Sequence, residues 1–157
     1  GGHGMAPHLL QMGLLKEFVL TVISDNGLPV YNRKLKSKSS IYLRVLGREC
    51  FKRNKLKWTE SLVEKSLSLN PKDIFGIQLK IDLLKRLEKY KEAISYLNEV
   101  IKSIPKNSSI RIMLIELYLE TNELVKEEEE MHRFKAEFGG STELTKLEKI
   151  IEEHRIN

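Results

Sequence analysis

Two short segments, SLNP at residues 68–71 and KSIP at residues 102–105, each close an amphipathic helical pattern. Their prolines, Pro71 and Pro105, lie 34 residues apart (105 − 71), and a glycine follows the second proline at the same interval. A fixed period in this range is typical of helical repeat arrays, in which each unit buries its apolar face against its neighbour. Residues 40–141 are therefore predicted to form a repeat of paired helices.

Sliding the chain against itself by this period superposes mainly apolar residues. In the first half of each unit the aligned sets are Leu43, Ile77 and Arg111; Leu46, Lys80 and Leu114; and Cys50, Leu84 and Tyr118. In the second half they are Leu56, Tyr90 and Leu124, and Val63, Leu97 and Met131. The apolar members recur at helical spacing within each unit. Six helices are predicted, at residues 40–53, 56–69, 74–87, 90–103, 108–121 and 124–137.

Polar residues mark several of the expected helix starts. Asp73 and either Asn107 or Ser108 begin the third and fifth predicted helices, and Ser141 is expected to cap a final helix. The apolar face of that final helix consists of Leu144, Leu147, Ile150 and Ile151. Charged residues occupy its other side, which is the expected form of a solubilising cap on the last repeat.

This pattern resembles the tetratricopeptide repeat (TPR) family. The residues that carry the resemblance are Leu43, Leu46 and Gly47 in the first unit, Tyr90, Ala93, Leu97 and Pro105 in the second, and Tyr118 in the third. The resemblance implies an all-α fold, a right-handed superhelical array of antiparallel helix pairs. Its three units are residues 40–73, 74–107 and 108–141, and residues 142–157 form a C-terminal capping helix. Four residues depart from the family's residue types, namely Lys80, Ile81, Arg111 and Glu127.

The part of the chain before the repeats allows two interpretations. Residues 1–4 are interpreted as an expression scar, and residues 5–39 as an N-terminal helical segment, either a degenerate repeat or a lid, followed by a basic connector. Residues 9–31 are read either as a helix that Asp25-Asn26-Gly27 ends or as a hairpin, and in the helix Leu10, Leu14, Phe18 and Val22 form one apolar stripe. The alternative is a β-hairpin that turns at Asp25-Asn26-Gly27. A helix is favoured because an isolated two-stranded hairpin is marginally stable in water.

The composition is that of a charged, helix-rich protein without a membrane segment. Hydrophobic residues make up 41% and charged residues 31% of the 157 residues. The single cysteine, Cys50, cannot form an internal disulfide, so an intracellular setting is expected, cytoplasmic or nuclear. No run of about 18 apolar residues is present, so no membrane span is expected. Residues 9–23 are apolar but lack the basic lead and cleavage site of a signal peptide.

Charge is distributed unevenly along the chain. Ten basic residues and one acidic residue lie between Arg33 and Lys57, whereas seven acidic residues and one basic residue lie between Glu116 and Glu130. Three interpretations remain open at this point. The charges form a solvated face, or the basic 33–57 region binds an acidic peptide or a nucleic acid, or the chain associates head to tail with itself.

The TPR resemblance implies a concave groove lined by the first helix of each unit. The predicted partner-binding residues are Arg44, Arg48, Phe51, Lys52, Phe75, Gln78, Asp82, Lys85, Ile112 and Glu116. Apolar anchors flanked by charges suit a peptide or helix of another protein. Arg44 and Arg48 lie one helical turn apart and are expected to converge on one anion. A protein partner is favoured over nucleic acid because the acidic third unit would repel phosphate and no aromatic–basic interleaving is present.

No enzyme activity, cofactor or metal site is predicted. Cys50 has no histidine nearby in sequence and is expected to be a core residue. Glu128 and His132 are interpreted as an exposed helical pair. The Glu127–Glu130 run lacks the spacing of a calcium loop and is interpreted as a solvated helix face.

A second resemblance concerns one stretch before the repeat region and one within it. Residues 9–15, with the sequence LLQMGLL, and residues 107–118 are similar to parts of a TPR scaffold subunit of the anaphase-promoting complex. That resemblance implies a self-associating scaffold within a larger assembly. Leu14, Phe18 and Val22 would then form a homo-oligomer surface.

Overall fold

The computed structural model of the chain describes residues 40–156. The predictions for residues 1–39, including Leu14, Phe18 and Val22 and the choice between helix and hairpin, lie outside the described residues. Seven helices and no strand occur in the described part: α1 Ser40–Lys52, α2 Leu56–Leu69, α3 Ile74–Arg86, α4 Tyr90–Ser103, α5 Ser108–Glu120, α6 Leu124–Phe138 and α7 Thr142–Ile156. None of these helices is long and apolar enough to cross a membrane.

The helices repeat with the period that the sequence predicts. Helices α1, α3 and α5 begin at residues 40, 74 and 108, and α2, α4 and α6 begin at residues 56, 90 and 124. Each set therefore recurs every 34 residues, and every one of the six predicted spans is confirmed to within one residue at either end. Over residues 40–156 the all-α class and the helical repeat are confirmed. The right-handed superhelical course and the division into units and cap stay predictions.

The turns inside the helix pairs share one backbone geometry. Asn54, Glu88 and Asn122 have positive φ angles of 58°, 58° and 60°. In the first of these turns the amide of Lys55 donates to the carbonyl of Cys50 at 2.9 Å, and equivalent bonds at 2.8 Å close the other two. This is the hydrogen-bond pattern of a helix C-terminus with a left-handed residue. The repeat is therefore built into the local backbone as well as into the apolar pattern.

Three helices begin with a side-chain cap, as predicted. The carboxylate of Asp73 accepts a hydrogen bond from the amide of Phe75 at 3.2 Å. Asn107 Oδ1 accepts from the amide of Ile110 at 3.1 Å, and Ser141 Oγ accepts from the amide of Leu144 at 3.2 Å. Each cap satisfies one of the amides that a helix start leaves without an internal partner.

The described residues belong to two compact units, one ending at Leu83 and the other beginning at Leu84. In the first unit α1 packs against α2. The residues fully buried there include Leu43, Leu46, Cys50, Leu62 and Val63. Gly47 belongs to this contact, since an added Cβ would lie 3.0 Å from Leu79. Lys80, which departs from the apolar pattern, pairs with Glu64 at 2.9 Å.

The second unit has a core in which α7 packs against α5 and α6. Its buried cluster consists of Ile115, Leu119, Met131, Phe134, Leu147 and Ile151. Ile150, predicted to share the apolar face of α7, is instead 36% exposed. The predicted burial of α7 is thus right for Leu147 and Ile151, which point into the cluster.

Buried charge in this unit corrects one prediction. Glu127 and Glu130 are 1% and 8% exposed, so the Glu127–Glu130 run is not simply a solvated helix face. Only Glu128 and Glu129 are exposed. The reason is that Glu127 and Glu130 lie on the side of α6 that also carries the buried Met131 and Phe134. Consecutive residues of a helix point about 100° apart, so a run of four glutamates cannot keep every member on one face.

Candidate functional site

Helix α1 and the start of α3 bring predicted groove residues together around one cavity. The cavity has a volume of about 310 Å³ and is lined by Arg44, Val45, Arg48, Glu49, Lys52, Phe75 and Gln78. Positions 44, 45, 48, 49 and 52 lie on one side of α1 because they are separated by three or four residues. We call this set the first-unit cavity.

An arginine and an aromatic ring form one wall of the first-unit cavity. The guanidinium carbon of Arg44 lies 5.0 Å from the centroid of the Phe75 ring, within the range of a cation–π contact. Arg44 also donates from Nη1 to both carboxylate oxygens of Asp73, at 3.0 and 2.8 Å. Asp73 thereby caps α3 and fixes the side chain of Arg44 above the ring.

A second arginine is held in the same way one turn further along α1. Arg48 donates to Asp82 Oδ2 at 2.8 Å, and Gln78 Nε2 donates to the other oxygen of that carboxylate at 2.9 Å. The guanidinium carbon of Arg48 lies 5.5 Å from the Phe51 ring centroid. Asp82 therefore orients both Arg48 and Gln78.

These contacts correct the expectation that Arg44 and Arg48 converge on one anion. Each guanidinium group binds a different carboxylate of the chain itself, which compensates much of its charge. Phe75 is 69% exposed, so its ring is a surface feature and not a core residue. Phe51 is half-buried beneath Arg48.

Comparison with known proteins bears on the fold. The chain is similar to a solved structure titled "MamA RS-1 ArsTM double mutant", a TPR-like protein, with a TM-score of 0.51 and 17% sequence identity. The similarity covers 92% of this chain and 86% of that chain. The fold is a TPR-like helical repeat. No protein-family model matches the chain, and no curated protein matches it.

The remaining predicted groove residues of the TPR-like repeat lie in the second unit. Lys85 donates to Glu120 at 2.8 Å across α3 and α5. Ile112 packs against the buried cluster of that unit. Glu116 is half-buried on the same helix, α5. The positions of these three residues are therefore known. That they form one groove together with the first-unit cavity stays a prediction.

Several residues of the first-unit cavity were missed. Val45 and Glu49 line it but were not predicted to do so. The sequence contained enough information to predict both, since Val45 follows Arg44 and Glu49 follows Arg48 on the same side of the helix. Asp73 was recognised only as a helix cap, because its pairing with Arg44 joins positions 29 residues apart.

A larger cavity lies in the second unit and contains none of the predicted groove residues. Its volume is about 580 Å³, and it is lined by Glu127, Glu128, Met131, His132, Lys135, Glu148, Ile151, Glu152 and Arg155. These residues come from α6 and α7. Its greater size does not make this cavity the predicted groove.

Among the residues with catalytic potential, Cys50 lies in the core of the first unit. Cys50 is fully buried, and burial raises the pKa of its thiol to about 11 from an ordinary value of 9.0. A thiol with so high a pKa is protonated at neutral pH and is a poor nucleophile. Among residues 40–156, no group of three or more histidine, cysteine, aspartate or glutamate residues is arranged to hold a metal ion.

Proposed function

We propose that this chain is a protein-interaction scaffold whose first-unit cavity receives a peptide or helix of a partner protein. The observation that carries the proposal is the exposed ring of Phe75, held in place by Arg44 at the edge of a cavity. The ring is 69% exposed, and contact of so much apolar surface with water is unfavourable. Covering the ring with a partner's surface would therefore contribute binding free energy. The TPR-like fold supports a role in protein interaction and no more specific one.

The charge around the cavity indicates the chemistry of the partner. Arg44 and Arg48 are compensated by Asp73 and Asp82, whereas Lys52 forms no ion pair with another described residue. An apolar side chain packed on Phe75, next to an acidic side chain that pairs with Lys52, would satisfy both features. Apolar anchors supply affinity and charges fix the register of a bound segment. We extend the proposed groove to Lys85, Ile112 and Glu116, and expect the partner to be intracellular.

A polyanion is the alternative partner of the basic 33–57 region. Nucleic-acid binding relies on basic side chains that are available to phosphates. Arg44, Arg48 and Arg53 of this region already pair with carboxylates. The peptide is therefore the better-supported ligand. Self-association as a subunit of a larger assembly is a further proposal, and it depends on Leu14, Phe18 and Val22.

The proposal is tested by selecting peptides from a random display library on the immobilised protein. Selected peptides are expected to contain an apolar residue near an acidic one. Their affinity, measured by fluorescence anisotropy, should fall at least tenfold with Phe75→Ala, since truncating a central anchor costs about 1.4 kcal/mol or more. Lys52→Glu should weaken the binding of acidic peptides more than that of other peptides.

The control is Val125→Ala, which truncates another exposed apolar side chain, 71% exposed, in the second unit. This variant should bind the selected peptides as the wild type does. Equal binding by the wild type and Phe75→Ala, with both helical by circular dichroism, would refute the proposal. Light scattering of the wild type measures self-association separately.

A further inference from the structure

Glu127 is a buried acid whose carboxylate lacks a full set of partners. The residue is 1% exposed, and its Oε2 atom has no hydrogen-bond partner among the described residues. Buried polar atoms in folded proteins are nearly always hydrogen-bonded, and leaving a charged one unsatisfied costs stability. The positions 34 and 68 residues earlier carry the small, fully buried residues Ala93 and Thr59. A glutamate that costs stability where the other repeats bury a small residue requires an explanation outside packing.

The surroundings of Glu127 provide that explanation. It lines the cavity of about 580 Å³ between α6 and α7, together with Glu128, Glu148 and Glu152. These four carboxylates share the lining with two permanently cationic side chains, Lys135 and Arg155, and with His132. The three other glutamates form no ion pair with a residue of the described part. The cavity thus has an excess of negative charge that the described chain does not compensate.

We propose that this cavity binds an organic cation of the alkylammonium or alkylguanidinium class, with its N–H groups donating to Glu127. Such a cation supplies the hydrogen-bond donors that Oε2 of Glu127 lacks. The carboxylates of Glu128, Glu148 and Glu152 offset the remaining charge of the cation. Met131 and Ile151 line the same cavity and are apolar. They suit the alkyl stem that carries the charged group in both classes.

The size and composition of the cavity favour an organic cation over a metal ion. Its volume lies within the about 300 to 1,000 Å³ of small-molecule sites. The described residues contain no group of three or more candidate metal ligands in suitable geometry. The same chemistry occurs in free polyamines and in the lysine or arginine side chains of another protein. This site belongs to the second unit and goes beyond the proposed function, so either proposal can fail alone.

The test is calorimetric titration of the intact chain with putrescine, spermidine and the capped amino acids Nα-acetyl-lysine methylamide and Nα-acetyl-arginine methylamide. Saturable binding of at least one compound is expected, and capped norleucine, which lacks the cation, should not bind. Glu127→Gln should weaken binding at least tenfold. The control is Glu129→Gln, an exposed residue of the same helix that does not line this cavity. The dissociation constant of this variant should lie within twofold of the wild-type value.

Thermal unfolding provides a second readout that separates a ligand role from a structural one. Without ligand, Glu127→Ala should unfold at the same temperature as the wild type or higher, because it removes an incompletely bonded buried carboxylate. With ligand, only the wild type and Glu129→Gln should gain stability.

Each outcome decides the proposal. Tighter binding of a free polyamine assigns the site to a small molecule, and tighter binding of a capped amino acid assigns it to a partner's side chain. Both support the cation site. The proposal is overturned if none of the four cations binds at millimolar concentration or if Glu127→Gln binds as the wild type does. It is also overturned if the bound cation raises the unfolding temperature of Glu127→Ala as much as that of the wild type.

Discussion

At the scale of single residues, Arg111 illustrates how a charged side chain occupies an apolar position of the repeat. It is 5% exposed, and its Nη1 donates to Pro105 O at 3.1 Å and to Glu137 Oε2 at 2.7 Å. Its Nε has no described partner. Glu130, which lies 3.9 Å from Nη2, is held by a hydrogen bond from Arg133. The guanidinium group therefore depends mainly on Glu137.

Glu137→Ala is expected to destabilise the protein by about 2 kcal/mol, because it leaves a buried cation with one fewer partner. The cost lies below the about 3 to 5 kcal/mol of breaking a fully buried pair, since Glu137 is 45% exposed. Adding Arg111→Leu should recover most of that loss. Urea unfolding gives the free energy of unfolding of Glu137→Ala and of the double variant. Glu99→Ala, which breaks an exposed pair with Lys102, is the control and should change little.

Glu88 holds a left-handed conformation that glycine adopts without strain. Glu88→Gly should raise the free energy of unfolding by about 1 kcal/mol, because the conformation costs an L-residue about that much. Glu99→Gly, in the exposed part of α4, should lower it by a similar amount. Denaturant unfolding of both variants tests the expectation, and a loss of stability in Glu88→Gly would contradict it.

Cys50 links stability to alkaline pH. Because burial raises the thiol pKa to about 11, the folded state binds this proton more tightly than the unfolded state does. The resulting stability is present below about pH 9 and is lost as the pH rises toward 11, by about 1.4 kcal/mol per unit at most. Unfolding free energies of the wild type should therefore fall more steeply over this range than those of Cys50→Ala. Parallel pH profiles would show that the thiol does not contribute.

At the scale of helices, α7 acts as a cover for α5 and α6. Leu147 is fully buried in the second-unit cluster, whereas Ile150 on the same helix is 36% exposed. Leu147→Ala should cost about 3 kcal/mol through lost burial and a residual cavity, and Ile150→Ala should cost less than about 1 kcal/mol. Thermal and urea unfolding measure both. Similar losses for the two variants would mean that the buried face of α7 has been assigned wrongly.

At the scale of the whole molecule, net charge is a poor guide to the partner. The formal net charge is +5, yet several arginines of the basic region are paired internally. Binding of a labelled oligonucleotide is therefore expected to stay in the non-specific range, with a Kd of about 10⁻⁴ to 10⁻⁶ M at physiological salt. Fluorescence anisotropy at two salt concentrations measures it. A submicromolar Kd at physiological salt would instead favour the polyanion.

Local features of this protein were predictable from sequence. Helix bounds, turns and the caps at Asp73, Asn107 and Ser141 depend on hydrogen bonds between residues no more than five positions apart. Their signals therefore lie within short segments of sequence. Most of the apolar periodicity was equally informative, because residues separated by three or four positions share a helical face. Three of the seven residues that line the first-unit cavity followed from the same rule, since Arg44, Arg48 and Lys52 lie on one face of α1.

Tertiary structure alone decided which charges are compensated and which surfaces remain open. Arg44 meets Asp73 and Arg48 meets Asp82 across 29 and 34 positions, and those pairs form only when α1 packs beside α3. Packing also left Phe75 exposed and enclosed Glu127. The sequence by itself determined where the helices begin and end, because backbone hydrogen bonding is local. Exposure and ion pairing depend on neighbours that are distant in the chain, so only the folded arrangement determined them.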